Sequence, residues 1–168
     1  MNNLNKVNVV IQPLTDAQIS NVGSFDIDVK QHLEHFKNYQ NNGMQVASPD
    51  LGLFIHTYEQ NIYKYLGTLG GDQYSNGFWK MDHGFFLLDA PNDLYVLNGY
   101  QGSEYKLNSY TFSAVVNLIV LSQMACDAYT KQNFFKNQMS VFLSDHLKDL
   151  IDINSHIFDT KAIFDITD

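Results

Sequence analysis

The sequence predicts an α+β fold: one domain in which a small antiparallel meander of about three strands packs against several α-helices. Between residues 72 and 98, short aromatic and aliphatic runs alternate with turn residues, a pattern typical of antiparallel strands. Segments on either side carry apolar residues at helical spacing. A chain of 168 residues has the length of one ordinary domain, so residues 1–168 are expected to share one core.

The N-terminal part is predicted to hold a short strand and two helices. β-Branched residues favour a strand over 7–11, and segment 15–18, Thr-Asp-Ala-Gln, has the signature of a capping box at a helix start. Apolar spacing predicts a longer helix over 24–40. It carries His32 and His35, but zinc normally needs three or four ligands, so no metal site is predicted there.

The centre of the chain is predicted to form a helix followed by the meander. Ser48 supplies a capping hydroxyl before Pro49, and an apolar stripe continues this helix to Leu69. The extended runs that follow are 77–81, 85–89 and 94–97. Residues 85–88 of the second run are apolar on both faces, which predicts a central strand covered by helices on at least one side. Trp79 is expected to pack against helices.

The C-terminal half is predicted to be mainly helical. Residues 105–107 add a brief extended piece before a helix that Asn108 or Ser109 can cap. Because this helix is apolar around nearly its whole circumference, we expect it to be the spine of the core. A long amphipathic helix over 134–153 and a short one over 157–166 follow.

Composition narrows the class of partner. The formal charge is −8, and all ten basic residues are lysines. Arginine supplies the planar fork that binds phosphates and guanine edges, so direct nucleic-acid binding is not expected. Acidic surfaces suit basic protein partners, although the same charge can simply keep a small domain soluble.

Cysteine usage and hydropathy predict a soluble, cytoplasmic protein without membrane contact. The single cysteine, Cys126, cannot form an internal disulfide and lies in an apolar run, where burial as a small hydrophobe is expected. The first residues lack the basic and apolar regions of a signal peptide. The longest apolar run, 114–120, is interrupted by Asn117 and is too short to cross a bilayer.

No catalytic motif is recognisable in the sequence. It lacks a glycine-rich phosphate loop ending in Lys-Ser or Lys-Thr, HExxH, paired CxxC and the GxSxG elbow. Asp145, His146 and Asp149 lie within about one helical turn and, with His156, allow a small hydrolase or metal-dependent enzyme. A solvated helix face explains them equally well. We expect no catalytic residue, no metal and no cofactor.

From Met139 onward the charge is mostly negative, which predicts a contact surface. An ordinary solvated face with a frayed end is the alternative. Only Lys148 and Lys161 oppose the acidic residues Asp145, Asp149, Asp152, Asp159, Asp165 and Asp168.

A motif that ends at Trp79 resembles a known family. After a helix containing Glu59, the sequence has Asp72 and then Tyr74-Ser75-Asn76-Gly77-Phe78-Trp79. This order is similar to the acidic residue and Tyr-Ser-Gly-Gly-aromatic-Trp stretch of antirestriction proteins of the ArdB/KlcA type. The likeness extends through the aromatic strand Phe85-Phe86-Leu87-Leu88, segment 98–102, and the closing His156 with Ile166-Thr167-Asp168.

The resemblance implies a small α+β counter-defence protein, carried by phages or other mobile genetic elements, that relieves restriction of incoming DNA by type I restriction-modification systems. It implies inhibition by protein contact rather than catalysis, with a host restriction-modification or other defence complex as partner. An anti-CRISPR inhibitor of a Cas effector complex is the alternative, and the small hydrolase is a second one. The residues expected to contact the partner are Tyr74, Asp82, His83, Tyr100, Asp165 and Asp168.

Overall fold

The computed structural model describes residues 10–15, 18, 49–70, 74, 79–89 and 94–168. These residues form four helices and two small antiparallel sheets of two strands each, which confirms the predicted α+β class. The helix predicted over 24–40, with His32 and His35, lies outside the described residues, as does most of the strand predicted over 7–11.

The helix predicted before the meander is present as α1, which spans Pro49–Leu69. Proline at its first position and Asp50 in its first turn favour this start, because the N-terminal end of a helix has unpaired amides and a positive dipole. One face of α1 is buried against the long central helix. The residues of that face are Leu51, Phe54, Ile55, Tyr58, Ile62 and Leu66.

Strands β1 (Trp79–Asp82) and β2 (Phe85–Leu88) form the first hairpin, as the sequence predicts. Their two-residue turn has positive φ at both positions, 51° at His83 and 84° at Gly84, the backbone form that matches the twist of paired strands. Trp79 is only 6% exposed, which confirms its structural role. All four side chains of β2 are buried.

Strands β3 (Tyr95–Asn98) and β4 (Glu104–Leu107) form a second hairpin. The third predicted run is therefore a strand, but it pairs with β4 and not with β2. In place of one meander of about three strands, the described residues contain two separate hairpins.

A buried side chain of the central helix explains why β2 pairs with only one of the described strands. The Oδ1 atom of Asn117 accepts from the N–H of Phe86 at 2.9 Å, and its Nδ2 donates to the C=O of Phe86 at 2.6 Å. The Oγ of Ser113 accepts from the N–H of Leu88 at 3.0 Å. A further strand would need these same backbone groups, so the helix satisfies the edge that β3 was expected to cover.

The central helix, α2, spans Ser109–Thr130 and is the predicted spine of the core. Asn108 caps it, since its side chain accepts from the N–H of Thr111 at 2.8 Å. By length and composition α2 could cross a membrane, yet 67% of its apolar 18-residue stretch is buried inside the protein. It packs against α1, β2 and both C-terminal helices, as a core helix does.

The burial predicted for Cys126 is wrong, because its side chain is exposed on α2. Met124 and Ala128, two residues away on either side, are buried. Two residues turn a helix by about 200°, so position 126 faces away from the core although its neighbours in sequence are apolar.

Helices α3 (Phe134–Ile153) and α4 (Thr160–Thr167) complete the described fold. Asn133 caps α3 by accepting from the N–H of Lys136, and Asp159 caps α4 by accepting from the N–H of Ala162. The cap at Asp159 sets the start of the last helix three residues later than the predicted 157.

The N-terminal segment is attached at the end of α3 by Asn154, which is fully buried. Its Nδ2 donates to the C=O of Gln12 at 2.9 Å, and its Oδ1 accepts from the N–H of Gln12 at 2.8 Å. Nearby, the predicted capping box is confirmed. The N–H of Thr15 donates to Oε1 of Gln18 at 2.8 Å, and the N–H of Gln18 donates to Oγ1 of Thr15 at 3.3 Å.

Candidate functional site

Three of the predicted contact residues meet where the β3–β4 turn packs on α4. The N–H of Tyr100, in the turn, donates to the backbone C=O of Asp165 at 3.0 Å. The hydroxyl of Tyr105, on β4, donates to Oδ2 of the same aspartate at 2.8 Å. These two bonds fix both the main chain and the carboxylate of Asp165 relative to the hairpin.

Gly99 makes this close approach possible. A Cβ atom at this position would lie 2.1 Å from Oδ2 of Asp165 and 3.0 Å from its Cγ. Both distances are well inside the optimal separation of non-bonded atoms, about 3.5–4.0 Å for carbon pairs, so any larger residue would displace the carboxylate.

An open cleft of about 430 Å³ lies beside this contact. Tyr100 is 87% exposed on its rim, whereas Phe164 and Asp165 are half-buried. We call this surface the Tyr100 cleft, and its lining residues are Tyr100, Lys161, Phe164, Asp165 and Asp168. It brings together the predicted contact residues Tyr100, Asp165 and Asp168.

Carboxylates dominate the electrostatics beside the cleft. The hydrogen bond to Asp165 raises the pKa of the Tyr105 hydroxyl above its ordinary value, and desolvation and the charges of Asp165 and Asp159 raise it further. Among the described residues, the ion pairs within 4.0 Å involve Asp82 and Asp127, not the carboxylates of the cleft. The cleft acids are therefore available to a cation from outside.

The negative surface continues from the cleft along α3. A second cleft, of about 260 Å³, is lined by both Asp145 and Asp168, together with Lys148. Desolvation raises the pKa of Asp149 above its ordinary value, and the charges of Asp152 and Asp145 add to this rise, as expected for three acids on one face of a helix. We call this row the acidic ridge, and its members are Asp152, Asp149, Asp145, Asp168 and Asp165.

The other three predicted contact residues lie elsewhere. Asp82 and His83 are at the β1–β2 turn, with Nε2 of His83 3.5 Å from Oδ1 of Asp82. Tyr74 is half-buried rather than freely exposed, because its hydroxyl donates to the C=O of Val96 at 2.8 Å and its ring lies 5.7 Å from that of Phe112. Tyr74 thus packs at the edge of the core, away from the solvent position expected of a contact residue.

His146, one residue of the enzyme alternative, is buried. This side chain is 5% exposed, its ring stacks on Phe142 at 5.9 Å, and its Nε2 lies 3.1 Å from the C=O of His83. Asp149, by contrast, is exposed. Within the part of the chain that the structure describes, no group of three or more His, Cys, Asp or Glu side chains is arranged to hold a metal ion. His146 therefore has a packing role beneath the first hairpin.

Sequence reasoning missed the residues that shape the Tyr100 cleft, namely Gly99, Tyr105 and Phe164. The pair Gly99-Tyr100 in a predicted loop was a usable signal, since glycine before an aromatic allows close backbone approach. The contact of this hairpin with Asp165 could not be read from the sequence, because Asp165 lies 60 positions after its hydrogen-bond partner Tyr105.

A further cleft, of about 590 Å³, lies at the turn between α2 and α3 and was not predicted. Its rim carries the exposed rings of Tyr129 and Phe134. The rest of its lining is neutral, with Ala128, Thr130, Gln132, Asn133 and Asn137. The described part of its lining therefore offers no charge that would select one class of partner.

Comparison of the chain with family models, with curated proteins and with solved structures found no match. The class of the protein is thus defined by its own fold and surface: an α+β protein with an acidic ridge that ends at an aromatic cleft. The resemblance to antirestriction proteins stays a prediction.

Proposed function

We propose that this protein is a counter-defence inhibitor that binds a host defence complex, with a type I restriction-modification system as the first candidate target. The observation that carries the proposal is the acidic ridge, which runs along α3 and reaches the exposed Tyr100 at the cleft. The resemblance to ArdB/KlcA proteins supplies the identity of the target class.

Physical reasons favour a protein partner for this surface. Restriction complexes handle DNA and therefore carry basic surfaces, which a row of carboxylates complements and attracts at long range. Exposed tyrosine is among the residues that contribute most to protein interfaces, because it buries a large area at little entropic cost. The same negative surface repels nucleic acid, so we propose that the protein contacts the complex and not the DNA.

Contact rather than catalysis is part of the proposal. Among the residues of the enzyme alternative, His146 is buried against Phe142 and the first hairpin, whereas Asp145 and Asp149 belong to the acidic ridge. We therefore propose that this histidine supports the fold and that the two carboxylates face a partner.

A plating assay tests the proposal. Cells that carry a type I restriction system and express the protein should allow unmodified phage to plate at least about tenfold better than control cells. The double variant Tyr100→Ala/Asp165→Asn should lose most of this relief, because it removes the exposed aromatic and a fixed charge together. Asp89→Asn is the matched control, since Asp89 is an exposed acid that lines neither cleft of the ridge.

The same assay separates the two defence targets. Cells that defend themselves with a CRISPR effector complex, and lack restriction, are infected in parallel. Relief there alone would replace the restriction target with the anti-CRISPR alternative. Full restriction in every type I system tested, with no effect on CRISPR interference, would refute the proposed function.

A further inference from the structure

We propose that the Tyr100 cleft binds the guanidinium group of an arginine in a basic segment of the partner, between the Tyr100 ring and the Asp165 carboxylate. The inference rests on the proposed function for the identity of the partner protein. It adds the chemistry that the cleft selects, and that chemistry can be measured without the partner.

The carboxylate that would anchor the guanidinium group is already held in place. The Tyr105 hydroxyl holds Oδ2 of Asp165 at 2.8 Å, and the Tyr100 N–H holds its backbone at 3.0 Å. A carboxylate has about four acceptor positions, so the bond from Tyr105 leaves capacity for a planar, two-pronged donor. A fixed acceptor also loses little conformational entropy when the ligand arrives.

Part of the cleft lining is aromatic. Tyr100 is 87% exposed and Phe164 is half-buried, and both border the same cleft as Asp165. A guanidinium group stacks on aromatic faces and is more weakly hydrated than an ammonium group, so it loses less on entering such a site. This combination favours arginine over lysine.

The charge balance of the cleft also favours a cation. Among the described residues that line it, Lys161 is the one cation beside Asp165 and Asp168. Within the described residues, neither aspartate has a basic side chain within 4.0 Å. The cleft therefore retains net negative charge that an arginine neutralises, and Lys161 should weaken the binding of any cation by repulsion.

The binding test uses short peptides and amide chemical shifts of the whole chain. The probe is the capped peptide Ser-Arg-Gly-Arg-Ser, with one counterpart carrying lysine and one carrying citrulline, the neutral isostere of arginine. We expect the arginine peptide to shift the amides of Tyr100, Phe164 and Asp165, the lysine peptide to bind more weakly, and the citrulline peptide to leave them unchanged. Equal binding of the citrulline peptide, or shifts confined to other surfaces, would overturn the inference.

Different variants of the cleft should change the affinity for the arginine peptide in opposite directions, which makes the test sharper. Tyr100→Ala and Asp165→Asn should each weaken binding of the arginine peptide about fivefold, because one removes a cation–π contact and the other a charge-assisted hydrogen bond. Gly99→Ala should weaken it too, although it keeps every charge, since its Cβ would displace the carboxylate. Lys161→Gln should tighten binding about twofold by removing the repulsion.

Controls keep these outcomes interpretable. Asp89→Asn should leave the affinity unchanged, and thermal melting should show that each variant is folded. Tyr100→Ala carries the test even if another variant unfolds, because a side chain 87% exposed contributes little to the core. Tighter binding after Tyr100→Ala, or weaker binding after Lys161→Gln, would contradict the proposed geometry.

The inference and the proposed function can fail separately. If wild-type protein relieves restriction, and Tyr100→Ala neither reduces this relief nor weakens binding of the arginine peptide, the cleft is not the arginine site although the function stands. If the arginine peptide binds and Tyr100→Ala weakens it, yet no defence system is relieved, the cleft chemistry stands and the function is wrong.

Discussion

Replacing Asn117 with alanine should destabilise the protein more than any other single polar substitution in the described core. Asn117 is fully buried, and its amide bonds both backbone groups of Phe86, at 2.9 and 2.6 Å. It also accepts from the hydroxyl of Tyr58 and donates to the C=O of Ser113 at 2.7 Å. One side chain therefore joins α1, β2 and α2 at a single point.

The size of the effect follows from the groups left without partners. Asn117→Ala removes the partner of the N–H and the C=O of Phe86 and of the Tyr58 hydroxyl. Each buried polar group left unsatisfied costs about 1–3 kcal/mol, and partial relaxation reduces the sum, so we expect a loss of about 3–5 kcal/mol. Such a loss is a large fraction of the roughly 5–15 kcal/mol that holds a domain together.

Urea unfolding measures this loss directly. Far-ultraviolet circular dichroism follows the helices, and fluorescence of the only tryptophan, Trp79, follows the first hairpin. Tyr58→Phe is the comparison, because it removes one bond and leaves Asn117 paired with Phe86, and it should cost about 1 kcal/mol. In the Asn117→Ala background, Tyr58→Phe should cost clearly less, since its partner is already gone. A loss below about 1 kcal/mol for Asn117→Ala, with an unchanged denaturant slope, would refute this account of the core.

Two further predictions concern the C-terminal helices. Asn154→Ala should free segment 10–15, because it removes both hydrogen bonds to Gln12. Limited proteolysis should therefore cut near Gln12 in the variant but not in the wild type. Equal resistance of the two proteins would show that these bonds are not needed to hold the segment. Asp149→Asn should raise the melting temperature at pH 7. The folded protein holds the pKa of Asp149 above the unfolded value of about 3.9, so ionisation of Asp149 opposes folding, and asparagine removes this cost. This gain should vanish as the pH falls through the folded pKa of Asp149 towards that unfolded value, and a gain that persists at lower pH would have another cause.

Much of the fold was predictable because its elements carry strong local signals. The capping chemistry and apolar stripe of α1, the apolar circumference of α2 and the Asp-His-Gly turn all determine structure within a few residues of themselves. The pairing of β3 was not predictable in this way. It depends on Asn117, which reads in the sequence as an interruption of an apolar run and acts in the structure as a partner for Phe86.

The candidate site was predictable only in part, for the same physical reason. The exposed ring of Tyr100 and the acids Asp165 and Asp168 could be chosen from residue type and loop context. Their juxtaposition depends on contacts between distant parts of the chain, above all the fit of Asp165 against Gly99. Tyr74 illustrates the opposite error, because a tyrosine in a polar loop motif packs against Phe112 instead of facing solvent.

The two hydrogen bonds between Gln12 and Asn154 impose an order on folding during synthesis. The two residues are separated by 142 positions, so a ribosome adding about 5–20 residues per second makes Asn154 roughly 7–28 s after Gln12. Until then the apolar side chains of Ile11 and Leu14, which are 6% and 8% exposed in the finished fold, have no completed α3 to cover them. The N-terminal segment is thus made early and docks late, which leaves it open to chaperones and proteases until α3 is complete.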